Sequence, residues 1–153
     1  MVGLKTIRFT GGNMDIKEPN GIRILCIEDE HFISELYARA LRRAGYDVTT
    51  LVSGDDGLRA AQKDNYDIIM LDLMIPGMTG FEVLRELNKH QPKLKAKIII
   101  TTNLDQDETS KDEIEKMADG YLIKAEFTPR QLVTIIDDLV SGKNINESQI
   151  EPA

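Results

Sequence analysis

The sequence predicts an α/β fold: a doubly wound, five-stranded parallel sheet with helices on both faces. Five short apolar runs alternate with five helical patterns, and no segment repeats another. The third run, 67–72, is apolar almost throughout and ends in a carboxylate, as expected of a strand that is buried on both faces. Alternating strands and helices favour parallel strands joined by right-handed crossovers.

The elements follow from apolar spacing and from the residues that punctuate it. Strands are predicted at 22–27, 46–52, 67–72, 97–102 and 120–123. Helices are predicted at 33–44, 53–64 and 81–90, within the acidic, weakly apolar segment 103–119, and from Thr128 onward. Gly45 ends the first helix, Ser53 or Asp55 caps the second, and Pro129 favours the start of the last.

The chain of 153 residues fits one domain, which we place at 21–141. Residues 1–20 are expected to form a flexible or loosely docked arm, with 4–9 as its only strand-like piece, and 142–153 a C-terminal tail. A net charge of −7 argues against direct nucleic-acid binding. We find no membrane-length apolar stretch and no export signal, so we expect a cytoplasmic protein without membrane insertion. Cys26 is expected to be a buried structural thiol.

Polar side chains collect where the predicted strands end. They are Glu28 and Asp29 after the first strand, Asp72 at the end of the third, Thr101 and Thr102 at the end of the fourth, and Lys124 after the fifth. These ends form the functional crevice of an open α/β sheet. Two carboxylates about 4 Å apart repel by roughly 4 kcal/mol at an effective dielectric near 20, so converging acids need a counter-charge. Oxygen ligands of this kind favour Mg²⁺ or Mn²⁺.

The same residues suit phosphoryl transfer. A mobile Lys124 ammonium and the Thr102 hydroxyl can contact phosphate oxygens. Asp72 beside a cation can become an aspartyl phosphate by in-line attack on a phosphodonor. The sequence contains neither a G-x-S-x-G elbow nor a G-x-x-x-x-G-K-[ST] phosphate loop. For Asp72 alone, a strand-end turn carboxylate is the alternative.

Four motifs, in order, resemble the receiver domain of bacterial two-component response regulators. They are 24–30 (ILCIEDE), 70–80 (MLDLMIPGMTG), 100–103 (ITTN) and 120–124 (GYLIK). The resemblance covers about residues 21–140 and implies a flavodoxin-like sheet with strand order 2-1-3-4-5. It also implies a phosphorylation-activated signalling switch, single-domain and similar to chemotaxis regulators.

The resemblance implies roles for the acids and the lysine. Asp72 would accept a phosphoryl group from a sensor histidine kinase or a phosphotransfer protein. Asp29 and Asp72, Glu28 directly or through water, and the backbone carbonyl of Met74 would bind Mg²⁺. Lys124 would pair with the phosphate.

The resemblance also implies a switch and an output face. Thr102 would be the hydroxyl that moves toward the phosphoryl group, and it is preferred over Thr101 because the polar Asn103 then follows it. Tyr121 would change rotamer in response, although it could equally be a half-buried strand aromatic. The fourth helix, the fifth strand and the last helix would dock a downstream protein, unless the acidic helix is simply a solvated face.

The sequence departs from the family pattern at three places. Glu28 replaces the commoner aspartate, Thr79 stands where an acid is frequent, and Ala125 stands where proline is usual. Because a cis bond without proline costs about 2.5–4 kcal/mol, we expect the Lys124–Ala125 peptide bond to be trans. None of the three departures removes a required group.

Alternative functions are distinguished by single positions. The resemblance implies that the residues two beyond the phosphoacceptor and two beyond the switch hydroxyl influence how water reaches the acyl phosphate. These are Met74 and Leu104, neither of which can orient a hydrolytic water, so we expect slow self-dephosphorylation. A haloacid-dehalogenase-like phosphatase would carry a second aspartate where Met74 stands, and a degenerate receiver would lack Asp72, Asp29 or Lys124. The sequence stops soon after the last helix, without a DNA-binding domain, although it could also be one part of a longer regulator.

Overall fold

The computed structural model describes residues 6–8, 15–103 and 108–142. Its strands are β1 (Thr6–Arg8), β2 (Asp15–Lys17), β3 (Arg23–Ile27), β4 (Asp47–Leu51), β5 (Ile68–Asp72), β6 (Lys97–Thr102) and β7 (Gly120–Ile123). Its helices are α1 (His31–Arg43), α2 (Gly54–Lys63), α3 (Gly80–Lys89), α4 (Glu108–Met117) and α5 (Pro129–Val140), with a 3-10 turn at Lys124–Glu126. None of the described helices has the length and apolar character needed to cross a membrane.

The strands from β3 to β7 form one parallel sheet in the order β4-β3-β5-β6-β7. The predicted fold class and strand order are confirmed. The chain places β4 on one side of β3 and β5 on the other, so the connections leave in opposite directions. This reversal opens a crevice at the carboxyl ends of β3 and β5.

The central strand β5 is buried at every position. Ile68 and Met70 pack in a core layer with α1 and α5, while Ile69 and Leu71 pack in the opposite layer with α2, α3 and α4. A strand covered on both faces has no solvent side, which is why this run is apolar without alternation. Burying each such side chain is worth about 1.5–3 kcal/mol.

Side-chain caps set the starts of three helices. Ser53 accepts a hydrogen bond from a backbone N–H of α2, so Ser53 rather than Asp55 is the cap. Thr79 and Glu82 form a reciprocal capping box at the start of α3, and Thr128 begins a second one at α5. The box at Thr79 was not predicted, although T-x-x-E is its sequence signature.

The N-terminal segment contains a strand that the sequence did not predict. β1 and β2 pair as an antiparallel hairpin. The following residues contact the loop after α1: the Asn20 N–H donates to the Gly45 carbonyl at 3.0 Å. Gly45 has a φ of +99°, and a Cβ there would lie 2.4 Å from the Glu18 carbonyl oxygen, so this approach requires glycine. The division into arm, domain and tail stays a prediction.

The acidic segment contains helix α4, which spans Glu108–Met117 among the described residues. Ile114 is fully buried, and Met117 and Ala118 pack against the same core layer. The Asn88 side chain on α3 donates to the Met117 carbonyl at 2.9 Å. Leu104, which was invoked for slow dephosphorylation, lies outside the described residues.

Candidate functional site

Two neighbouring strands bring three carboxylates to the carboxyl edge of the sheet. Glu28 and Asp29 follow β3 and Asp72 ends β5, and the pairing of Ile27 with Leu71 sets Glu28 beside Asp72. One oxygen from each carboxylate lies within 4.8 Å of the other two. Glu28 and Asp72 are buried, whereas Asp29 is exposed. The predicted convergence of the three acids is therefore present.

Lys124 reaches two of these carboxylates from the end of β7. Its Nζ donates to Glu28 Oε1 at 2.5 Å and to Asp72 Oδ2 at 2.9 Å. Lys124 is only 9% exposed, and its amine is hydrogen-bonded to both acids, so its movement toward a phosphate stays a prediction. The Lys124–Ala125 peptide bond is trans, as predicted, since the cis bond among the described residues is Gln91–Pro92.

Burial and mutual contact shift the pKa values of this group. Burial raises the pKa of Glu28 above its usual range, contact with Asp72 raises it further, and the Lys124 ammonium offsets part of the rise. Burial lowers the pKa of Lys124, but its hydrogen bonds to Glu28 and Asp72 outweigh this and raise it overall. Lys124 is therefore charged at neutral pH, and Glu28 holds a proton more readily than an ordinary glutamate.

The donor set fits a hard divalent cation. Three carboxylates face one ammonium, which leaves two negative charges in excess when all three acids are ionised. Within the described residues, Glu28 Oε2 is buried and has no hydrogen-bonding partner. The chosen oxygens of Glu28 and Asp72 are no more than 4.8 Å apart, so at an effective dielectric near 20 the two ionised carboxylates repel by about 3.5 kcal/mol or more. A cation with oxygen ligands would relieve both defects.

The turn after β5 keeps Asp72 in place. The Met74 N–H donates to Asp72 Oδ1 at 3.1 Å, so both oxygens of this carboxylate are hydrogen-bonded. The Ile75 side chain is buried, while the Met74 side chain is 65% exposed. The Gly80 N–H donates to the Leu73 carbonyl at 3.1 Å and closes the turn onto α3.

The parallel sheet, its acidic edge and the buried lysine occur together in a known family. The model of the response regulator receiver domain matches residues 24–137. The chain belongs to this family. It is a phosphorylation-controlled signalling switch of two-component systems, as its motifs predicted.

The receiver domain is similar to a transcriptional regulator and to solved receiver domains. It is 36% identical over 110 residues to the alkaline phosphatase synthesis transcriptional regulatory protein PhoP of Bacillus subtilis, covering 72% of this chain and 45% of that protein. The chain spans about half the length of the curated relatives it matches. Because these relatives are transcriptional regulators, the likeness to single-domain chemotaxis regulators stays a prediction.

Two solved structures share the fold over most of the chain. A CheY-like receiver domain protein from Methanospirillum hungatei JF-1 has a TM-score of 0.69 and 26% identity, covering 83% of this chain and 95% of that one. The receiver domain of sensor histidine kinase PA1611 from Pseudomonas aeruginosa PAO1 has a TM-score of 0.69 and 25% identity, covering 78% and 98%. The latter carries a magnesium ion coordinated in its active site cleft.

The two predicted threonines of the receiver domain lie at the same edge, and Tyr121 lies further back along β7, in register with Ile100. Asp72 pairs in register with Thr101, and Thr102 pairs with Ile123, one residue before Lys124. Both threonines are buried. Tyr121 is half-buried, and the Lys111 Nζ lies 5.7 Å from the centre of its ring. The roles of Thr102 and Tyr121 stay predictions.

Two further residues, Cys26 and Asp55, differ in how well the sequence predicts their surroundings. Cys26 is buried, as predicted, and burial raises the pKa of its thiol to about 12, so it stays protonated. Asp55 on α2 was weighed only as a cap, yet it contacts the turn after β5 by accepting from the Met78 N–H. No local signal reports that contact, because the two residues meet only once the sheet is assembled.

Proposed function

We propose that Asp72 is the phosphoacceptor of this receiver domain and that its donor is a phosphohistidine on a sensor histidine kinase or a phosphotransfer protein. The observation that carries the proposal is the position of Asp72 at the topological switch point. Its buried carboxylate accepts a hydrogen bond there from the Lys124 ammonium and lies close to the carboxylates of Glu28 and Asp29. A carboxylate that served only to end a strand at a turn would not require a buried ammonium and two further acids beside it.

The transfer is a substitution at phosphorus. An oxygen of Asp72 attacks the phosphorus in line, and the new P–O bond forms as the P–N bond of the phosphohistidine breaks. The electron pair of that bond leaves on the imidazole nitrogen, which then takes up a proton from water. Lys124 is placed to shift from its present partners to an oxygen of the transferred group, since it already contacts Asp72.

We propose that Mg²⁺, or Mn²⁺, binds at Glu28, Asp29, Asp72 and the Met74 carbonyl. The oxygen-only donor set and the unpartnered Glu28 Oε2 support this, as does the magnesium in the Pseudomonas aeruginosa receiver domain. When bound, the ion would screen the charge between Asp72 and the incoming phosphoryl oxygens. Glu28 and Asp29 would hold it, and Lys124 would then be free to turn toward the phosphoryl group.

The edge around the site carries exposed apolar side chains that suit a phosphodonor protein. Phe32 at the start of α1 is 73% exposed, Val52 after β4 is 53% exposed, and Met74 is exposed after β5. Val52 and Met74 follow strands that end at the carboxyl edge of the sheet, and Phe32 lies in the first turn of the helix that follows β3. Exposed apolar residues at this edge support docking of a partner surface that presents its histidine to Asp72.

The output is proposed to run through Thr102 and Tyr121 to a downstream protein on the face made by α4, β7 and α5. Tyr121 lies in β7 and meets Lys111 of α4, so a change of its rotamer would alter the contact between these elements. Docking of a downstream protein on this face is supported by its exposed acids on α4, although a solvated acidic face is the alternative. Within this chain, the net charge of −7 favours a protein partner over direct nucleic-acid contact.

The proposed function is that of a phosphoacceptor with at most self-phosphorylation, and not of a phosphatase. Met74 supplies an exposed thioether where a haloacid-dehalogenase-like enzyme would carry its acid-base carboxylate. Incubation with acetyl phosphate and Mg²⁺, followed by intact mass measurement, should add one phosphoryl group to the wild type and none to Asp72→Asn. Continuous release of phosphate from a phosphomonoester would instead favour the enzyme.

A further inference from the structure

The N-terminus of α2 is hydrogen-bonded to the turn that follows β5 and carries Met74. Two contacts join them: the Gly54 N–H donates to the Pro76 carbonyl at 3.4 Å, and the Met78 N–H donates to Asp55 Oδ2 at 3.4 Å. These bonds attach both sides of the Pro76–Met78 tip to the first turn of one helix. The tip follows the Met74 carbonyl by two residues, so its position limits where that carbonyl can lie.

Steric fit at two glycines shows how close this approach is. A Cβ on Gly54 would lie 1.9 Å from the Met78 carbonyl oxygen, which is backbone and cannot rotate away. A Cβ on Gly77 would lie 2.6 Å from Asp55 Oδ2, and Gly77 has a φ of +76°. The helix and the turn are therefore interlocked rather than merely adjacent.

We propose that Asp55 is a positioning residue for the divalent cation: by holding the tip of the turn, it sets the Met74 carbonyl beside Asp72. This inference rests on the proposed function, because it concerns a ligand of the proposed cation site. Asp55 is exposed at the start of α2 and does not belong to the cluster formed by Glu28, Asp29 and Asp72. Asp55 therefore acts on the cation site only through the turn that carries Met74.

The neighbouring acid provides a matched control. Asp56 is also exposed and also lies in the first turn of α2, but its carboxylate pairs with Arg59 on the same helix. Both acids favour the helix N-terminus by the same dipole effect. Removing either therefore changes helix stability and local charge alike, whereas only Asp55 accepts from the turn.

Mg²⁺ affinity of the unphosphorylated chain, measured by isothermal titration calorimetry, tests the proposal. Asp55→Ala should weaken binding by about two- to tenfold, the range that loss of one hydrogen bond gives. Asp56→Ala should leave affinity unchanged, and Asp55→Asn, which keeps an acceptor without the charge, should restore most of it. Gly54→Ala, which displaces the turn, should weaken binding at least as much as Asp55→Ala.

The possible results distinguish the positioning role of Asp55 from the cation site itself. If Asp55→Ala binds Mg²⁺ like the wild type, or if Asp55→Asn and Asp56→Ala lose affinity equally with it, the positioning role is overturned while the proposed cation site stands. Asp29→Asn reports on that site separately, since it should abolish binding. If the wild type itself does not bind Mg²⁺, both the site and the role are overturned. Should Gly54→Ala fail to fold, the Asp55 series still decides.

Discussion

Lys124→Met removes the one ammonium that the structure places between Glu28 and Asp72. The two carboxylates, which lie within 4.8 Å of each other, then repel by about 3.5 kcal/mol at an effective dielectric near 20. Breaking a buried ion pair by removing one partner typically costs about 3–5 kcal/mol. We therefore expect the metal-free variant to lose about 3 kcal/mol of unfolding free energy at a pH high enough to ionise both carboxyls, a large share of the roughly 5–15 kcal/mol of an ordinary domain.

The loss should depend on pH with a definite sign. Burial raises the pKa of Glu28 from its ordinary value of 4.5 to about 8, and removing the ammonium raises it further. A carboxyl whose folded pKa is raised contributes stability below its unfolded pKa and loses that contribution as pH rises through its folded pKa. Because Glu28 is protonated in both folded proteins below about pH 8, the variant should lie closer to wild-type stability there and fall away from it as pH rises above about 8.

Urea unfolding, followed by far-ultraviolet circular dichroism at several pH values, measures the loss of unfolding free energy in Lys124→Met. Glu28→Gln combined with Lys124→Met should recover more than half of the loss, because one buried charge is gone. Lys95→Met removes an exposed pair with Asp67 and should change stability by no more than about 0.5 kcal/mol. A loss below about 1 kcal/mol for Lys124→Met, with no pH dependence, would show that the buried ammonium does not stabilise the fold by pairing with Glu28 and Asp72.

Three further predictions concern the metal, the partner and the lifetime of the phosphoryl group. Proton and cation compete for Glu28, so Mg²⁺ affinity measured by calorimetry should rise as pH increases through the raised pKa of Glu28, and Glu28→Gln should flatten this dependence. A pH-independent wild type would contradict it. Phe32→Ala should slow phosphoryl transfer from a phosphotransfer protein by about tenfold, as loss of a buried anchor would, but leave labelling by acetyl phosphate unchanged. Equal slowing with both donors would count against a docking role. Because the Met74 side chain cannot orient water, phosphate loss from the isolated chain should be slow, and Met74→Asn should speed it; complete loss of phosphate within seconds in the wild type would contradict this.

The strands of the parallel sheet could be predicted because they rest on strong local signals, whereas their order was implied only by the family resemblance. The apolar run that became β5 could belong only to an element covered on both sides, and Ile68 and Leu71 are indeed buried in opposite core layers. The Pro129 start of α5 is confirmed for the same kind of reason, since proline favours the first helical turn. By contrast, β2 is a three-residue strand of mostly polar residues, without a period that a sequence could reveal.

The site was predicted in composition but not in its contacts. That Glu28, Asp29, Asp72 and Lys124 gather at one edge follows from the rule that parallel strands share their carboxyl ends. That Lys124 is buried and bonded to Glu28 does not follow, because these residues are 96 positions apart and meet across intervening strands. The hydrogen bond from the turn after β5 to Asp55 could not be predicted for the same reason. The sequence places both segments correctly, but their contact depends on how α2 packs.

The most direct test of the central claim is phosphorylation of Asp72 itself. The full chain should be incubated with acetyl phosphate and Mg²⁺, then reduced with borohydride and digested, and the modified peptide identified by mass spectrometry. We expect one modified site, Asp72, together with no incorporation in Asp72→Asn and none when Mg²⁺ is chelated. Incorporation that persists in Asp72→Asn, or that maps to another residue, would contradict it.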